Sequence, residues 1–443
     1  QSSVASPAVL IANAGTLHLF HTAVELKRRG LLKRCVTSIF ISQALLMKLP
    51  AALGRHFAVV TVNRRCAELD GHIDTRPFPE LAHLAAVRLS IGEPSSWIEW
   101  RNRRFGRWLG ARGFDGVDVV WGFDTSSCEL FEAAKRQNVL CLLDMTIAYP
   151  ALSDRIVSEY ARTRPNMKEL TKLQSAPGRL ARRRREIELA DMVMVGSSFV
   201  RESLIELGVH SSKIVVNPYG VDLEEFYPRC DSSLDEAIAT SVRFLYVGWF
   251  SARKGVYDLL EAWERSGLGV QGNELVLAGG TRGDLSAWDG AVPQGVQIAG
   301  RIPHNQLSSV YRSADVFVFP SLFEGSARVI NEALAAGLPI VTTPTACDEE
   351  IVIHGENGFR VEVGDVASLS GRMRQLAEDV GLRQSMAKAS RHRARLFSWS
   401  EYGRRAAEAC RLLFEKRFQN GLDGPPAAPS VSRQGGPGSR DAE

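Results

Sequence analysis

Two glutamates eight positions apart, Glu324 and Glu332, are the residues whose type and spacing most directly suggest chemistry. An apolar run at 315–320 precedes Glu324, and a pattern of small and apolar residues predicts a helix that carries Glu332. Glu324 would then follow a strand, at the crevice where open parallel sheets bind ligands. Carboxylates accept hydrogen bonds from sugar hydroxyls, and a helix N-terminus favours phosphate. The pair therefore indicates a ligand that joins a diphosphate to polyols, such as a nucleotide sugar.

Two adjacent cations, Arg253 and Lys254, form a second candidate site. The strand-like run 243–247 ends at Gly248, and Gly255 leads into a helical pattern. Cations beside a helix N-terminus can hold a diphosphate and stabilise the charge that develops when the sugar–phosphate bond breaks. An isolated Arg-Lys pair is usually a solvated surface, but its place between a strand and a helix favours a diphosphate site.

The bulk composition is that of a globular protein with more than one domain. The chain has 443 residues, of which 45% are hydrophobic and 23% are charged, and two domains are expected at this length. The first residues predict no signal peptide, and no apolar run approaches the roughly 20 residues that span a bilayer. Seven scattered cysteines without a CxxC pair argue for a reducing compartment and against a zinc site. We therefore expect a cytoplasmic protein.

Charge is distributed unevenly along the chain. Residues 1–217 carry 30 Lys and Arg against 21 Asp and Glu, a net charge of +9, and the remainder carries −5. Such a basic half suits an anionic partner, including an anionic membrane surface, although a solvated surface without a partner would look the same. No nucleic-acid-binding signature is present, so nucleic acid is not expected.

Two stretches, 97–114 and 178–189, combine this basic charge with apolar residues. The aromatic residues of the first stretch are Trp97, Trp100, Phe105 and Trp108. Interleaved with arginines, they are typical of an interfacial membrane helix. An ordinary helix whose rings pack inward would show the same pattern, and both interpretations stay open.

Short β-branched runs alternate with helical patterns through most of the chain. The strand-like runs are 8–12, 36–41, 57–62, 117–121, 139–143, 192–195, 243–247, 274–277, 296–298, 316–319 and 340–342. Runs of this kind are expected for strands buried on both faces of a parallel sheet. Two such series predict an α/β protein with two Rossmann-like domains.

Turn signals at 213–228 predict the boundary between the domains. Residues 1–217 would form the first domain, and residues 218–396 the second. A helical pattern follows at 397–418, and the Gly/Pro/Ser-rich residues 419–443 are expected to be a disordered tail.

The segment around the glutamates, FPSLFEGSARVINEALAAGLPIVTT, resembles the E-x7-E segment of retaining GT-B glycosyltransferases, closest to glycosyltransferase family 4. NPYGVDLEEFYP similarly resembles the linker of those enzymes. The resemblance is specific from about 190 to 400 and looser before that. It implies a GT-B fold, with two Rossmann-like domains facing across a cleft and a last helix that returns to the first domain. It also implies a retaining hexosyltransferase that moves a sugar to a hydroxyl of a glycan or lipid-linked acceptor in polysaccharide or glycoconjugate biosynthesis.

The same resemblance assigns roles to residues of the second domain. Glu332 would bind the ribose hydroxyls and Glu324 the hydroxyls of the transferred sugar. The further donor-binding positions are Gly15, Gly248, Arg253, Lys254, Arg301, Ile302, Gly325, Ser326 and Ala327. Among these, the loop at 325–327 would direct its amides at phosphate and sugar, and the residues at 300–302 would approach the nucleobase through the backbone.

The acceptor side is less defined by the sequence. Asp124 and Asp144 each follow or end a strand-like run, and either could orient or deprotonate an acceptor hydroxyl, or serve as a cap or turn acid. Asp144 has no histidine near it in the sequence. His18 and His21 lie near the start of the first helical pattern, where one could face the cleft and both could be structural.

The donor is expected to be a UDP- or GDP-sugar bound without a metal. No D-x-D motif occurs, so Arg253 and Lys254 would neutralise the diphosphate. The configuration at the anomeric carbon would be retained because the acceptor hydroxyl attacks from the same face that the phosphate leaves. In this attack the leaving phosphate oxygen helps to take the acceptor proton. A GT-B sugar phosphorylase or epimerase, or a non-catalytic nucleotide-sugar-binding subunit, are the alternatives.

Overall fold

The computed structural model describes residues 6–41, 64, 66–164, 177–229, 241–285, 288 and 291–419. These residues form two parallel sheets, of seven and six strands, with helices on their faces. The α/β architecture with two Rossmann-like sheets is therefore confirmed. The strand expected at 57–62, Cys230 and the tail expected after 419 lie outside the described residues, and the six described cysteines are free thiols.

The first sheet consists of seven parallel strands. Its strands are β1 Val9–Asn13, β2 Leu32–Thr37, β3 Ile73–Thr75, β4 Val119–Phe123, β5 Leu140–Met145, β6 Met192–Val195 and β7 Ile214–Val216. They lie in the order β3-β2-β1-β4-β5-β6-β7. Leu10 and Ala12 enter one core while Val9 and Ile11 enter the core on the opposite face, which is why β1 is an uninterrupted apolar run.

The helices of this domain cover both faces of the sheet. They are α1 Leu19–Arg28, α2 Pro77–Arg88, α3 Pro94–Ala111, α4 Cys128–Arg136, α5 Pro150–Thr163, α6 Pro177–Leu189 and α7 Ser198–Glu206. Proline occupies the first turn of α2, α3 and α5, where its missing N–H costs no helical hydrogen bond.

The second sheet repeats the same topology. Its strands are β8 Arg243–Val247, β9 Glu274–Ala278, β10 Val296–Gly300, β11 Val316–Phe319, β12 Ile340–Thr342 and β13 Gly358–Arg360, in the order β10-β9-β8-β11-β12-β13. Its helices are α8 Val256–Ser266, α9 His304–Arg312, α10 Arg328–Ala335, α11 Val366–Glu378 and α12 Val380–Ala394. In both sheets the chain reverses its direction of strand addition at a central pair, β1/β4 or β8/β11, where ligands bind in open α/β sheets.

The final helix, α13 Trp399–Gln419, packs against α1 of the first domain. Tyr402 joins the core formed around β1, and its hydroxyl lies 3.1 Å from Oγ1 of Thr22. A Cβ on Gly403 would approach Cβ of Glu25 to 2.5 Å, so glycine allows the two helices to touch. The last described helix thus packs on the first domain.

Some strand boundaries differ from those expected. Strand β2 begins at Leu32 and ends at Thr37, four residues earlier than the run expected at 36–41, because Lys33 and Arg34 interrupt its apolar pattern. The short strands β3, β7 and β13 were not expected from the sequence. Each has three residues, and β3 and β13 lie at sheet edges, so a long apolar run is not required.

Candidate functional site

The loops that follow β8 and β11 lie against each other at the switch point of the second sheet. Gly255 ends the first loop with a positive φ of 71°. A Cβ at this position would lie 1.9 Å from the carbonyl oxygen of Pro320, which begins the second loop. Glycine at 255 therefore lets the loop with Arg253 and Lys254 approach the loop with Glu324.

Glu324 is the centre of the polar contacts between these loops. Its Oε1 accepts hydrogen bonds from Nζ of Lys254 at 2.6 Å, from Oγ of Ser321 at 2.7 Å and from a guanidinium nitrogen of Arg253 at 3.2 Å. The same arginine nitrogen donates to the carbonyl of Phe323 at 3.0 Å. The three residues expected to bind the donor are therefore in direct contact across 70 residues of sequence.

The charge state of this cluster follows from burial and ion pairing. Burial raises the pKa of Glu324, but Lys254 and Arg253 outweigh it and hold the pKa below its ordinary value. Burial lowers the pKa of Lys254, and Glu324 offsets this only in part. Glu324 is thus an ionised carboxylate at neutral pH, held where two cations converge.

Glu332 occupies the second turn of α10 and is buried. Its Oε2 accepts a hydrogen bond from the hydroxyl of Tyr311 at 2.9 Å. Burial raises the pKa of Glu332, whereas Arg328 and the Tyr311 hydroxyl act in the opposite direction. Tyr311 comes from α9 and was missed from the sequence, because nothing in its local pattern distinguishes it from a core tyrosine.

The N-terminus of α10 faces this crevice. Within the described part of the chain, the amides of Gly325, Ser326 and Ala327 donate to no protein group. Unpaired amides at a helix start, with the positive end of the helix dipole, form a place for an anion.

The same loop is one of the places where the two domains touch. A Cβ on Gly325 would lie 1.8 Å from the carbonyl oxygen of Thr146, and a Cβ on Gly196 would lie 2.6 Å from Cβ of Ser326. The backbone N–H of Tyr219, in the linker, donates to Oγ of Ser326 at 3.3 Å. The cleft is therefore closed at this point, with the candidate donor loop against the ends of β5 and β6.

Asp124 lies behind this contact in the first domain. Its Oδ1 accepts a hydrogen bond from Oγ1 of Thr146 at 2.9 Å, and its Oδ2 lies 3.4 Å from the guanidinium of Arg183. Burial raises the pKa of Asp124, while Arg183 and Thr146 oppose the rise. It is the expected acceptor-side carboxylate that remains nearest to the domain contact.

Asp144 has a different environment. Its Oδ2 lies 2.8 Å from Nε2 of His18 and 3.3 Å from Nε1 of Trp121, and both His18 and Asp144 are buried. The ring of His18 also packs on Tyr219 at 4.2 Å. Asp144 is therefore the buried partner of His18, and its role toward an acceptor stays a prediction.

His21 faces outward from α1 and stacks on Trp399 at 4.1 Å with parallel rings. Burial against neighbouring residues, followed by the charges of Arg328 and His18, lowers its pKa to about 4 although part of the residue is exposed. His21 is thus neutral at neutral pH, and it joins α1 to the final helix.

The remaining donor candidates lie at strand ends. The guanidinium of Arg301 stacks over the exposed indole of Trp249 at 4.6 Å, and Ile302 packs against the core of the second domain. A Cβ on Gly248 would meet Tyr246 and Phe319 at 3.1 and 3.3 Å, so this glycine serves packing within the domain. A Cβ on Gly15 would meet nothing nearer than 3.9 Å, so the loop after β1 does not require glycine for space.

A separate pocket of about 130 Å³ lies beside β4. It is lined by Ser95, Ile98, Glu99, Asn102, Thr125, Arg179, Arg182 and Arg183. Thr125 has a positive φ of 68°, which is unusual for a β-branched residue. Its N–H donates to Glu186 at 2.7 Å and its carbonyl accepts from Asn102 at 3.1 Å, so the strained residue is held from both sides.

Two further features are absent from the residues that the structure describes. They contain no group of three or more His, Cys, Asp or Glu residues that could hold a metal ion. None of their helices combines the length and apolar character that crossing a membrane requires.

The second domain matches a known sequence family. Residues 241–379 match the family described as glycosyl transferases group 1. Glycogen synthase of Mycobacterium tuberculosis is 30% identical over 209 residues, which are 46% of this chain and 50% of that protein. O-antigen chain mannosyltransferase B of Escherichia coli is 25% identical over 238 residues, 51% of this chain and 62% of that protein. The chain thus spans about half to two thirds of the length of these relatives.

Comparison of structures extends over both domains. Sucrose-phosphate synthase from Thermosynechococcus elongatus superposes with a TM-score of 0.67 at 19% identity, covering 93% of this chain and 100% of that one. Anabaena HepE in complex with UDP superposes with a TM-score of 0.61 at 15% identity, covering 91% and 100%. At these identities the agreement concerns the fold, and it confirms the GT-B arrangement.

Proposed function

We propose that this chain, whose residues 241–379 match the family described as glycosyl transferases group 1, moves a sugar from a nucleotide-sugar donor to an acceptor hydroxyl. One observation carries the proposal: the buried carboxylate of Glu324 contacts Lys254 and Arg253 beside the unpaired amides of α10. The Glu324 carboxylate, which accepts hydrogen bonds, thereby lies next to backbone amides that donate them and next to two cations. A sugar joined to a diphosphate needs both kinds of group at this spacing.

The donor would lie along the crevice between β8 and β11. Lys254, Arg253 and the amides of 325–327 would hold the diphosphate, and Glu324 would accept hydrogen bonds from the sugar hydroxyls. Glu332, positioned by Tyr311, would accept from the ribose. A bound phosphate would compete with Glu324 for the ammonium group of Lys254. Donor binding would therefore leave the Glu324 carboxylate available to the sugar hydroxyls.

The proposed reaction retains the configuration at the anomeric carbon. The bond from this carbon to the diphosphate oxygen breaks, and the bond to the acceptor oxygen forms on the same face. The acceptor proton passes to the leaving phosphate oxygen, whose charge Lys254 and Arg253 stabilise. Contact of Gly325 with Thr146 supports this step because a closed cleft excludes water that would hydrolyse the donor.

A UDP-sugar is the first donor to test, with a GDP-sugar next. HepE of Anabaena is recorded in complexes with UDP and with UDP-glucose, and it shares the fold. We propose that binding needs no metal, because two cations already converge on the phosphate position. For the acceptor, a glycan or lipid-linked glycan is proposed, since curated relatives are named for glycogen, O-antigen and teichuronic acid synthesis.

The test combines donor binding with transfer. Thermal shift with UDP, GDP, ADP and TDP and their sugars, with and without EDTA, identifies the nucleotide, since a ligand of the folded state raises the melting temperature. Lys254→Met should abolish the shift, whereas Lys388→Met, at an exposed position of α12, should preserve it. No stabilisation by any nucleotide would contradict the proposal. Release of sugar phosphate from donor and phosphate without an acceptor would favour the phosphorylase alternative.

A further inference from the structure

Helix α2 turns its apolar side chains toward solvent. Its apolar residues Phe78, Leu81, Leu84 and Val87 are 57%, 54%, 48% and 44% exposed. The residues it buries are Pro79, Glu80 and Ala86. An ordinary surface helix has the opposite arrangement, with the apolar stripe facing the core.

Buried ion pairs hold α2 in this orientation. Glu80 is 2% exposed, and its two carboxylate oxygens lie 2.7 Å from Arg64 and 2.8 Å from Arg101 of α3. Rotating the helix to bury Leu81 and Leu84 would break both pairs and leave a charge in the interior uncompensated. The outward leucines are therefore a fixed property of this face.

The exposed apolar surface continues beyond the helix. Leu89 is 67% exposed and Ile91 is 51% exposed. Two tryptophans connect these positions to α2, since the ring of Trp100 lies 6.3 Å from Phe78 and 5.5 Å from Trp97. We call this surface the apolar face; it consists of Phe78, Leu81, Leu84, Val87, Leu89 and Ile91. Isolated exposed leucines are common, but a contiguous group indicates an interaction site.

The charges around the apolar face have one dominant sign. The exposed basic residues between 76 and 112 are Arg76, Arg88, Arg104, Arg107 and Arg112, together with Arg103, which lies 3.8 Å from Glu99. Glu93 is the exposed acid of this segment. The acids Glu80 and Glu99 already contact arginines. An anionic surface therefore complements the arginines around the apolar face, and an apolar medium complements the side chains of the face itself.

We propose that the apolar face docks on a lipid bilayer that contains anionic lipid. Apolar side chains would enter the boundary between headgroups and acyl chains, Trp97 and Trp100 would lie at headgroup depth, and the arginines would contact lipid phosphates. This differs from the interfacial helix considered for 97–114, because Phe105 is 1% exposed and packs on Trp108. In the stretch 178–189, Arg182 and Arg183 are buried in pairs with Glu129 and Asp124 and are not part of the proposed contact.

Docking would bring the bilayer near the acceptor side of the cleft. Asn102 of α3 donates a hydrogen bond to the carbonyl of Thr125, the residue after Asp124. A lipid-linked acceptor could then reach the cleft without leaving the membrane. Binding to lipid does not depend on the transferase proposal, and a failure of either leaves the other standing.

The test is co-sedimentation of the full chain with vesicles. Phosphatidylcholine vesicles with about 30 mol% phosphatidylglycerol should bind the protein, and phosphatidylcholine alone should bind it weakly. Replacing Arg88, Arg104 and Arg107 by Gln should weaken binding roughly 100-fold, since each basic residue near an anionic surface contributes about fivefold. Replacing Phe78, Leu81 and Leu84 by Ser should weaken it comparably, and Leu89→Ser provides a milder change outside the helix.

Matched variants on the second domain and the final helix serve as controls. Arg265, Arg374 and Arg411 replaced by Gln, and Leu396 and Leu412 replaced by Ser, remove equally exposed side chains far from α2 in the chain. These controls should bind vesicles like the unmodified protein. Equal binding by the apolar-face variants, or no preference for anionic vesicles, would overturn the proposal. Light scattering that shows a dimer lost only in the Ser variant, without vesicle binding, would instead identify an interface between copies.

Discussion

A Cβ atom on Gly325 would lie 1.8 Å from the carbonyl oxygen of Thr146, so the two domains meet at a point with no room for a side chain. Gly325 follows the carboxylate that contacts both cations, and Thr146 donates to Asp124. This backbone contact therefore lies between the candidate donor site and the candidate acceptor site.

Gly325→Ala tests whether this contact organises the site. The added methyl group must push the loop or the domain away from Thr146, and displacements near 1 Å can cost about 100-fold in rate. We expect transfer to fall by roughly this factor, with a smaller loss in donor binding, measured as kcat and KM. Gly371→Ala in α11, where a Cβ meets nothing within 4 Å, should leave both unchanged. Full activity in Gly325→Ala would show that closure at this point is not needed.

Glu324→Gln tests the role of the carboxylate. The substitution keeps the size of the side chain but leaves Lys254 and Arg253 without their anion. We expect a loss of transfer of at least about 100-fold, because a charge-assisted contact to the sugar is worth roughly 3 kcal/mol when it is buried. Binding of the nucleoside diphosphate alone should be unchanged or tighter, because both cations become free for phosphate. Calorimetric titration with the nucleotide measures this, and weaker nucleotide binding would contradict the assignment.

Tyr311→Phe removes the hydrogen bond that the hydroxyl donates to Glu332. A buried carboxylate without its partner is less often ionised and less well oriented, since burial already raises its pKa. We expect donor affinity to fall about tenfold while kcat changes less, and the loss to grow at acidic pH. Tyr227→Phe, at an exposed tyrosine, is the control. A loss confined to kcat would argue against a positioning role through Glu332.

Glu186 predicts a pH dependence of stability. It is fully buried, and burial raises its pKa from 4.5 to about 7 although it accepts hydrogen bonds from the amides of Ser127 and Thr125. Between these values the folded state binds more protons than the unfolded state, so the free energy of unfolding decreases as pH rises through this window. The contribution is on the order of 3 kcal/mol.

Denaturant unfolding of Glu186→Gln across pH 4.5 to about 7 checks this expectation. The difference in free energy of unfolding between the variant and the unmodified protein should move in favour of the variant as pH rises. Parallel pH profiles of the two proteins would mean that Glu186 keeps an ordinary pKa.

The sequence by itself determined the fold class and the local form of the candidate donor site. Apolar runs at 243–247 and 316–319, each followed by a loop and a helical pattern, are short-range signals that predicted β8 and β11 at their observed bounds. The same short-range order predicted that Arg253, Lys254 and Glu324 follow strand ends. Their roles toward a donor remain predictions.

Only the tertiary structure decided which distant residues meet. Asp144 has no histidine near it in the sequence, yet His18 lies 2.8 Å away across 126 positions, because β1 and β5 flank β4 in the same sheet. Likewise, Tyr311 reaches Glu332 from another helix. The outward turn of α2 depends on Glu80 finding two arginines inside the protein. Local patterns specify elements because their causes lie within one or two turns of the chain, whereas these contacts depend on strand order, domain closure and burial.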